Sequence, residues 1–219
     1  MDYSLSKILN DNIPTKQRIM ICALQMFCTK GYSETSIRDI ASAVGISPGA
    51  IYGHFESKEE LLNCMLSEYA ENTKNLFHRV DIESILKEKP TGEGVSLCLV
   101  SSFSVLSEDV YYANLVHLIH QEQHRNPLFG SFILLRMKET TEFITRIFDV
   151  LKSLNALRAD VDPEYWGVFT YSLLHTISSC TAINIAQKTA GYTMMDLPKM
   201  LRCLFDAALI ASKPPDGGA

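Results

Sequence analysis

The sequence of 219 residues lacks the features that mark several large classes of protein. Its six cysteines are scattered without a C-x-x-C pair, no secretory apolar segment opens the chain, and no run of 18 apolar residues occurs. These absences argue against a disulfide-rich secreted protein and against a membrane-spanning helix. We therefore expect a cytoplasmic protein that has no membrane partner.

Positive charge and catalytic motifs are also scarce. The formal net charge is −5, and residues 1–80 contain 8 Lys and Arg against 9 Asp and Glu, so global charge does not indicate nucleic-acid binding. The sequence has no phosphate-binding glycine loop, no nucleophile elbow and no nucleophile–base arrangement. We expect no enzyme activity and no cofactor. The scattered His and Cys residues leave a helical enzyme with an appended DNA-binding-like domain as an alternative.

Strand signals are missing as well, because apolar and polar residues do not alternate and no hairpin dipeptide separates apolar runs. The sequence therefore predicts an all-α protein. Helices are predicted over residues 14–30, 36–45, 47–55, 57–80, 95–107, 109–124, 127–154, 163–190 and 194–211.

The clearest start and stop signals describe two short helices joined by a tight turn. Ser36 and Asp39 have the spacing of a capping box, which opens the first helix. Gly45 ends that helix because glycine adopts the left-handed conformation without steric cost. Ser47 caps the second helix and Pro48 occupies its first turn, where a missing N–H is no loss. This pattern predicts a helix-turn-helix whose second helix lies in the major groove of DNA.

The residues around this motif resemble the DNA-binding domain of TetR-type (tetracycline-repressor-like) transcriptional regulators. The resemblance rests on I-A-S-A-V-G-I-S-P-G-A-I-Y-G-H-F-E-S-K-E-E-L and on the upstream A-L-Q-M-F-C-T-K-G-Y-S-E-T-S, and it covers about residues 15–66. It implies a homodimeric repressor that binds palindromic double-stranded DNA and is released by a small-molecule effector. We expect a DNA-binding domain over residues 1–80, a ligand-binding and dimerisation domain over 81–212, and a disordered tail over 213–219.

Candidate DNA contacts fall into two groups. Hydroxyl, imidazole and cationic groups can donate to phosphate oxygens, and so can the start of a helix such as that at Thr35 and Ser36. The residues predicted to do so are Thr35, Ser36, Arg38, Tyr52, His54 and Lys58. Small and apolar residues at the start of the second helix can approach base edges and thymine methyl groups. These are Ser47, Pro48, Gly49, Ala50 and Ile51. The alternative is a helical core without a DNA role, for which the absence of Lys and Arg between Asp39 and Ser57 is the best argument.

The second half of the chain supplies apolar helices and aromatic residues. Lys188 is the only charged residue between Glu164 and residue 190, which is typical of a helix buried on all sides. The resemblance implies that the final two long helices pair with their copies in a four-helix dimer interface, whereas the alternative is the core of a monomer.

An apolar or amphipathic effector is expected to bind among residues 95–190. The residues predicted to line its pocket are Phe103, Tyr112, His117, His120, Phe143, Trp166, Tyr171 and His175. His117, His120 and His124 form one helical stripe, so a metal-sensing regulator is an alternative. No Cys or carboxylate is placed beside the stripe by sequence alone, and we therefore predict no metal site.

Overall fold

The computed structural model describes residues 13–107, 109–187 and 197–209. Within these ranges the chain forms ten α-helices and no β-strand, which confirms the all-α prediction. The helices are α1 (Thr15–Lys30), α2 (Ile37–Val44), α3 (Pro48–Tyr52), α4 (Lys58–Arg79), α5 (Ile82–Glu88), α6 (Gly92–Ser107), α7 (Val110–Glu122), α8 (Pro127–Ser153), α9 (Pro163–Gln187) and α10 (Leu197–Asp206).

The first of two compact units has its described residues within 1–73, 105–136 and 177–190. Its core joins α1, which is buried on all sides between Ile19 and Leu24, to α2, α3, the first turns of α4, and parts of α7 and α8. The largest fully buried side chains of this core are Phe27, Phe55, Phe129, Ile19, Leu24, Ile40, Ile51, Leu61 and Leu62. Burial of this much apolar surface is the main force that holds the short helices α2 and α3 in place.

The second unit has its described residues within 74–104, 137–176 and 191–219. Phe77 stacks on Phe143 with ring centroids 4.3 Å apart, and Phe148 meets Phe205 edge-on at 5.7 Å. Helices α6 and α10 approach closely at Gly92, where an added Cβ would lie 2.4 Å from the carbonyl oxygen of Arg202. The missing side chain therefore permits this helix contact.

The sequence analysis did not predict α5, which lies directly after residue 80, the expected end of the DNA-binding domain. Asp81 caps this helix by accepting from the backbone N–H of Ser84 at 3.0 Å. The compact units also interleave along the chain, since residues 105–136 group with the helix-turn-helix. The functional division into residues 1–80 and 81–212 stays a prediction, and the predicted tail lies outside the described residues.

None of the helices in the described ranges combines the length and the apolar character that a membrane crossing requires.

Candidate nucleic-acid interface

Helix α2 begins and ends as its sequence predicts. The backbone N–H of Asp39 donates to Ser36 Oγ at 3.1 Å, and the backbone N–H of Ser36 donates to Asp39 Oδ2 at 2.9 Å, which completes the capping box. The Ser36 hydroxyl also donates to Asp39 Oδ2 at 2.7 Å. This hydrogen bond, followed by that from the Ser36 backbone N–H, stabilises the carboxylate and holds the pKa of Asp39 below its usual value. Gly45 ends the helix with φ 79° and ψ 33°, the left-handed conformation.

Helix α3 presents the residues expected to approach bases. Ser47 Oγ accepts from the backbone N–H of Ala50 at 3.2 Å, and Pro48 occupies the first turn. Ser47, Pro48, Gly49 and Ala50 are all exposed. Ile51 is fully buried in the core of the first unit. The prediction that Ile51 reaches a base edge is therefore wrong, and its side chain instead anchors α3 to the protein.

Four of the predicted phosphate donors are exposed: Ser36, Arg38, Tyr52 and His54. Tyr52 has 55% of its surface exposed, an unusual placement for a large aromatic side chain without a partner. Arg38 makes no hydrogen bond or ion pair with the described residues, so its guanidinium has all five donors available. These groups flank α3 in sequence and suit neutral and charged contacts to a phosphate backbone.

Thr35 does not belong to this exposed set. Its side chain is buried, and its hydroxyl donates to the carbonyl oxygen of Gly31 at 2.9 Å. A second carbonyl oxygen, that of Met26, lies 3.4 Å from the same hydroxyl. The Thr35 hydroxyl therefore satisfies the end of α1 and does not face solvent, while the contact of the Thr35/Ser36 helix start with a phosphate stays a prediction.

Lys58 also turns toward the protein. Its Nζ donates to the carbonyl oxygens of Tyr32 at 2.8 Å, Thr35 at 2.9 Å and Ser33 at 3.4 Å. Nζ also lies 4.4 Å from the centroid of the Tyr32 ring. Burial lowers the pKa of Lys58. In this geometry all three N–H donors are directed at the protein, which contradicts the predicted phosphate contact.

Sequence reasoning missed Lys16 as a candidate phosphate contact. Lys16 is exposed in the first turn of α1, and its Nζ lies 5.4 Å from the centroid of the Phe55 ring, just beyond α3. This proximity joins residues 39 positions apart in the chain, so no local sequence signal reports it.

The predicted effector residues divide between the two units. Tyr112, His117 and His120 lie in the first, whereas Phe143, Trp166, Tyr171 and His175 lie in the second. Neither unit alone contains the whole predicted set. The side chain of Phe103 lies outside the part of the structure that is described.

Within the first unit, Tyr112 and His117 have contrasting surroundings. Asn72 Nδ2 donates to the Tyr112 hydroxyl at 2.5 Å. The His117 ring is buried, its Nδ1 has no hydrogen-bond partner among the described residues, and burial lowers its pKa. An imidazole with an unmet hydrogen bond is a candidate polar anchor for a ligand.

Within the second unit, Phe143 is a core residue, because it is buried against Phe77. Trp166 is half-buried, 5.8 Å from Phe148 between ring centroids, and Tyr171 lies 5.7 Å from His175. Phe143 therefore packs the protein interior, while the other residues stay candidates for ligand contact.

The histidine stripe does not form a metal site in the described ranges. His117 is buried and His124 is exposed, and no three His, Cys, Asp or Glu side chains converge in the described part of the chain. The alternative of a metal-sensing regulator has no geometric support there.

Helix α9 presents an exposed apolar face. Tyr165 is 78% exposed, Val168 38% and Phe169 53%, at spacings that place them on one side of the helix. By contrast, Leu201 and Phe205 of α10 are fully buried in the core of the second unit. The apolar residues of the two predicted interface helices thus have different roles.

Comparison with known proteins adds to this geometry. The family model described as bacterial regulatory proteins, tetR family, matches residues 19–65. The transcriptional regulator UidR of Escherichia coli K12 is 30% identical over 133 residues, which cover 61% of this chain and 64% of UidR. The chain spans between 23% and 64% of the length of the curated relatives it matches.

Solved structures show the same fold over most of the chain. GusR of Salmonella enterica has a TM-score of 0.60 at 22% identity, covering 90% of this chain and 96% of GusR. FadR of Bacillus subtilis in complex with stearoyl-CoA has a TM-score of 0.62 at 21% identity, covering 86% of this chain and 96% of FadR.

The curated relatives named here are helix-turn-helix transcriptional regulators, and the described residues of this chain form an all-α fold that begins with a helix-turn-helix. Residues 19–65 thus match the tetR family of bacterial regulatory proteins, and the structural neighbours share the fold of the chain. This confirms the resemblance found in its sequence.

Proposed function

We propose that this protein is a TetR-type DNA-binding transcriptional regulator that acts in the cytoplasm and represses transcription. The observation that supports this proposal is the exposed start of α3. Ser47 to Ala50 present a hydroxyl, small side chains and backbone, while Ile51 holds the helix on a rigid core. Small residues at this position let the backbone approach the floor of the major groove.

In the proposed complex, the first turn of α3 reads bases and the surrounding groups bind phosphates. The Ser47 hydroxyl can donate to or accept from a base edge, and Ala50 can contact a thymine methyl group. Tyr52 supplies a neutral donor, and Arg38 supplies a charged one. Phosphate binding fixes the register of the helix, so that base contacts decide which sequence is bound.

A single five-residue helix reads only a few base pairs, so two copies are needed to specify a site. We propose a homodimer in which the exposed face of α9, formed by Tyr165, Val168 and Phe169, packs against its copy. An isologous interface of this kind has two-fold symmetry, and the DNA it binds is therefore expected to be palindromic.

The effector proposed for this protein is a small apolar or amphipathic molecule. The structure of FadR from Bacillus subtilis contains stearoyl-CoA, and that of a regulator from Saccharomonospora viridis contains choline. In this chain the candidate polar anchor is the buried His117, together with the half-buried Tyr112 of the same unit. Effector binding is proposed to lower DNA affinity by about 1–3 kcal/mol, and DNA must weaken effector binding by the same factor.

Selection of bound sequences from random duplex DNA tests the regulator proposal. The expected product is a pair of inverted half-sites, whose spacing reports the distance between the two copies of α3. Replacing Ala50 by Glu adds a negative charge at the exposed start of α3 and should abolish enrichment. The matched control is Asn63→Glu, since Asn63 is an exposed residue of α4 outside the motif. Failure of the parent protein to enrich any sequence would overturn the proposal.

Effector binding has a separate test. A thermal-shift screen identifies molecules that stabilise the protein, and each is then added to a DNA titration. Molecules that stabilise the protein but leave its DNA affinity unchanged would contradict the proposed release mechanism.

A further inference from the structure

We propose that Lys58 is a positioning residue, which fixes the helix-turn-helix from inside the protein and does not bind a DNA phosphate. Its role in sequence readout rests on the proposed function. The contact itself does not, because it lies within the protein and exists without DNA.

All three N–H donors of the Lys58 ammonium group have hydrogen-bond acceptors within the protein. Three N–H groups meet three main-chain carbonyl oxygens, those of Tyr32, Ser33 and Thr35, at 2.8, 3.4 and 2.9 Å. The face of the Tyr32 ring lies 4.4 Å away and adds a cation–π contact. A phosphate would have to displace at least one charge-assisted hydrogen bond to reach this group.

These carbonyl groups belong to the loop that connects α1 to α2. The loop starts at Gly31, whose φ of 96° and ψ of 151° are accessible mainly to glycine. It ends at Thr35, directly before the Ser36 cap of α2. Since Lys58 is the first residue of α4, its ammonium ties the entry of the helix-turn-helix to the helix that follows it.

The Tyr32 ring extends this connection into the core of the first unit. It packs edge-on against Phe27 of α1, with centroids 5.0 Å apart, and against Phe129 of α8, at 5.8 Å. The loop is therefore held by an aromatic contact on one side and by Lys58 on the other. A displacement of α8 within this unit would reach the loop through Phe129 and Tyr32.

Arg18 is a second cation that donates to a main-chain carbonyl oxygen. Its guanidinium donates to the carbonyl oxygen of Val44 at 3.1 Å, at the last residue of α2. Lys58 binds the loop before α2 and Arg18 binds the end of α2. Both cations satisfy main-chain oxygens that helix termini and loops leave without partners.

Three roles for Lys58 predict different results for Lys58→Met, which keeps the length of the side chain and removes its charge. A phosphate contact predicts weaker binding to all DNA and a salt-dependence slope smaller by about 0.9 per contact, or about 1.8 per dimer. A purely stabilising role predicts a lower melting temperature and unchanged DNA affinity for the folded protein. A positioning role predicts unchanged slope and a loss of preference for the selected sequence over random DNA, of at least about tenfold.

The experiment measures binding of Lys58→Met to the selected sequence and to random duplex over a salt series at a temperature where the variant is folded. Arg38→Gln is the comparator for a phosphate contact, because Arg38 is exposed. We expect Arg38→Gln to lower the slope and Lys58→Met to lower only the sequence preference. A lower slope in Lys58→Met, or an unchanged preference, would overturn the proposal.

A second measurement uses the parent protein and stays decisive if the variant fails to fold or if no DNA is bound. Reductive methylation of the full chain should modify the exposed Lys16 and Lys30 rapidly and Lys58 slowly, as read by mass spectrometry of peptides. Protection of Lys58 should be the same with and without DNA. Rapid modification of Lys58 in the free protein would refute the internal contact, whatever the protein binds. Protection that appears only on adding DNA would identify it as a phosphate contact.

Discussion

Replacing Phe169 by Ala should dissociate the proposed dimer and leave each protomer folded. Phe169 is 53% exposed on α9, beside Tyr165 and Val168, and its ring meets Trp166 edge-on at 5.9 Å. An aromatic side chain of about 200 Å² therefore offers about 100 Å² to a partner. Two-fold symmetry doubles this to about 200 Å² per dimer, worth about 5 kcal/mol at about 25 cal/mol per Å². The methyl group of alanine retains part of the contact, so we expect a loss of about 4 kcal/mol, or roughly a thousandfold in the dimer dissociation constant.

Sedimentation equilibrium over a dilution series measures this dissociation constant directly. Leu134→Ala is the matched control, since Leu134 is 69% exposed on α8 and outside the proposed interface. The Phe169→Ala protomer should keep the helical circular-dichroism spectrum of the parent, because the removed surface faces solvent within the protomer, while its melting temperature should no longer depend on protein concentration. A parent-like dissociation constant in Phe169→Ala, or an equal effect of Leu134→Ala, would place the interface elsewhere.

Three further predictions concern single residues of the first unit. Gly45→Ala should cost about 1 kcal/mol in urea unfolding, and Gly45→Asn less, because φ is 79° and no atom lies within 4 Å of an added Cβ. The capping box makes the free energy of unfolding depend on pH. The pKa of Asp39 is lowered in the folded state, so its contribution is present above the pKa of the unfolded chain and is lost as pH falls through the folded pKa. Asp39→Asn should remove that part of the acid dependence in a pH series of unfolding curves. His117→Leu removes a buried group with an unmet hydrogen bond, so stability should be retained or raised by about 1 kcal/mol while binding of a stabilising effector is lost; retained binding with parent affinity would exclude His117 as an anchor.

The helix-turn-helix was predictable because its signals act over three or four residues. A capping box such as Ser36 with Asp39, a glycine at the left-handed end of a helix and a serine before Pro48 are local chemistry, and the structure has all of them. Helix α5 has a cap of the same local kind at Asp81, although no helix was predicted there; Pro90 and two glycines follow it in the sequence.

The burial of individual side chains and their hydrogen-bond partners could not be predicted from such local signals. Thr35, Ile51 and Lys58 have the residue types expected of DNA contacts, and only tertiary structure shows that they face the protein. The partners of Lys58 lie 23 to 26 residues earlier in the chain. The division of the predicted effector residues between two units likewise follows from the packing of residues 105–136, which no local pattern reports.

The placement of cations explains how a region without net positive charge can serve as a DNA-binding head. Residues 13–62 contain five Lys and Arg and five Asp and Glu. Two of the five cations, Arg18 and Lys58, donate to main-chain oxygens and define the geometry of the motif. The three that are exposed, Lys16, Lys30 and Arg38, supply the charge available for phosphates.

Neutral donors such as the Tyr52 hydroxyl gain less from each phosphate than a cation does, and they gain it only at hydrogen-bonding distance. A DNA-binding domain that depends on neutral donors needs its helices held in a fixed arrangement before it binds DNA. This requirement explains why Arg18 and Lys58 bind main-chain oxygens within the motif and are not available for phosphate contacts. Specific binding by this protein thus depends more on the geometry of α2 and α3 than on its total charge.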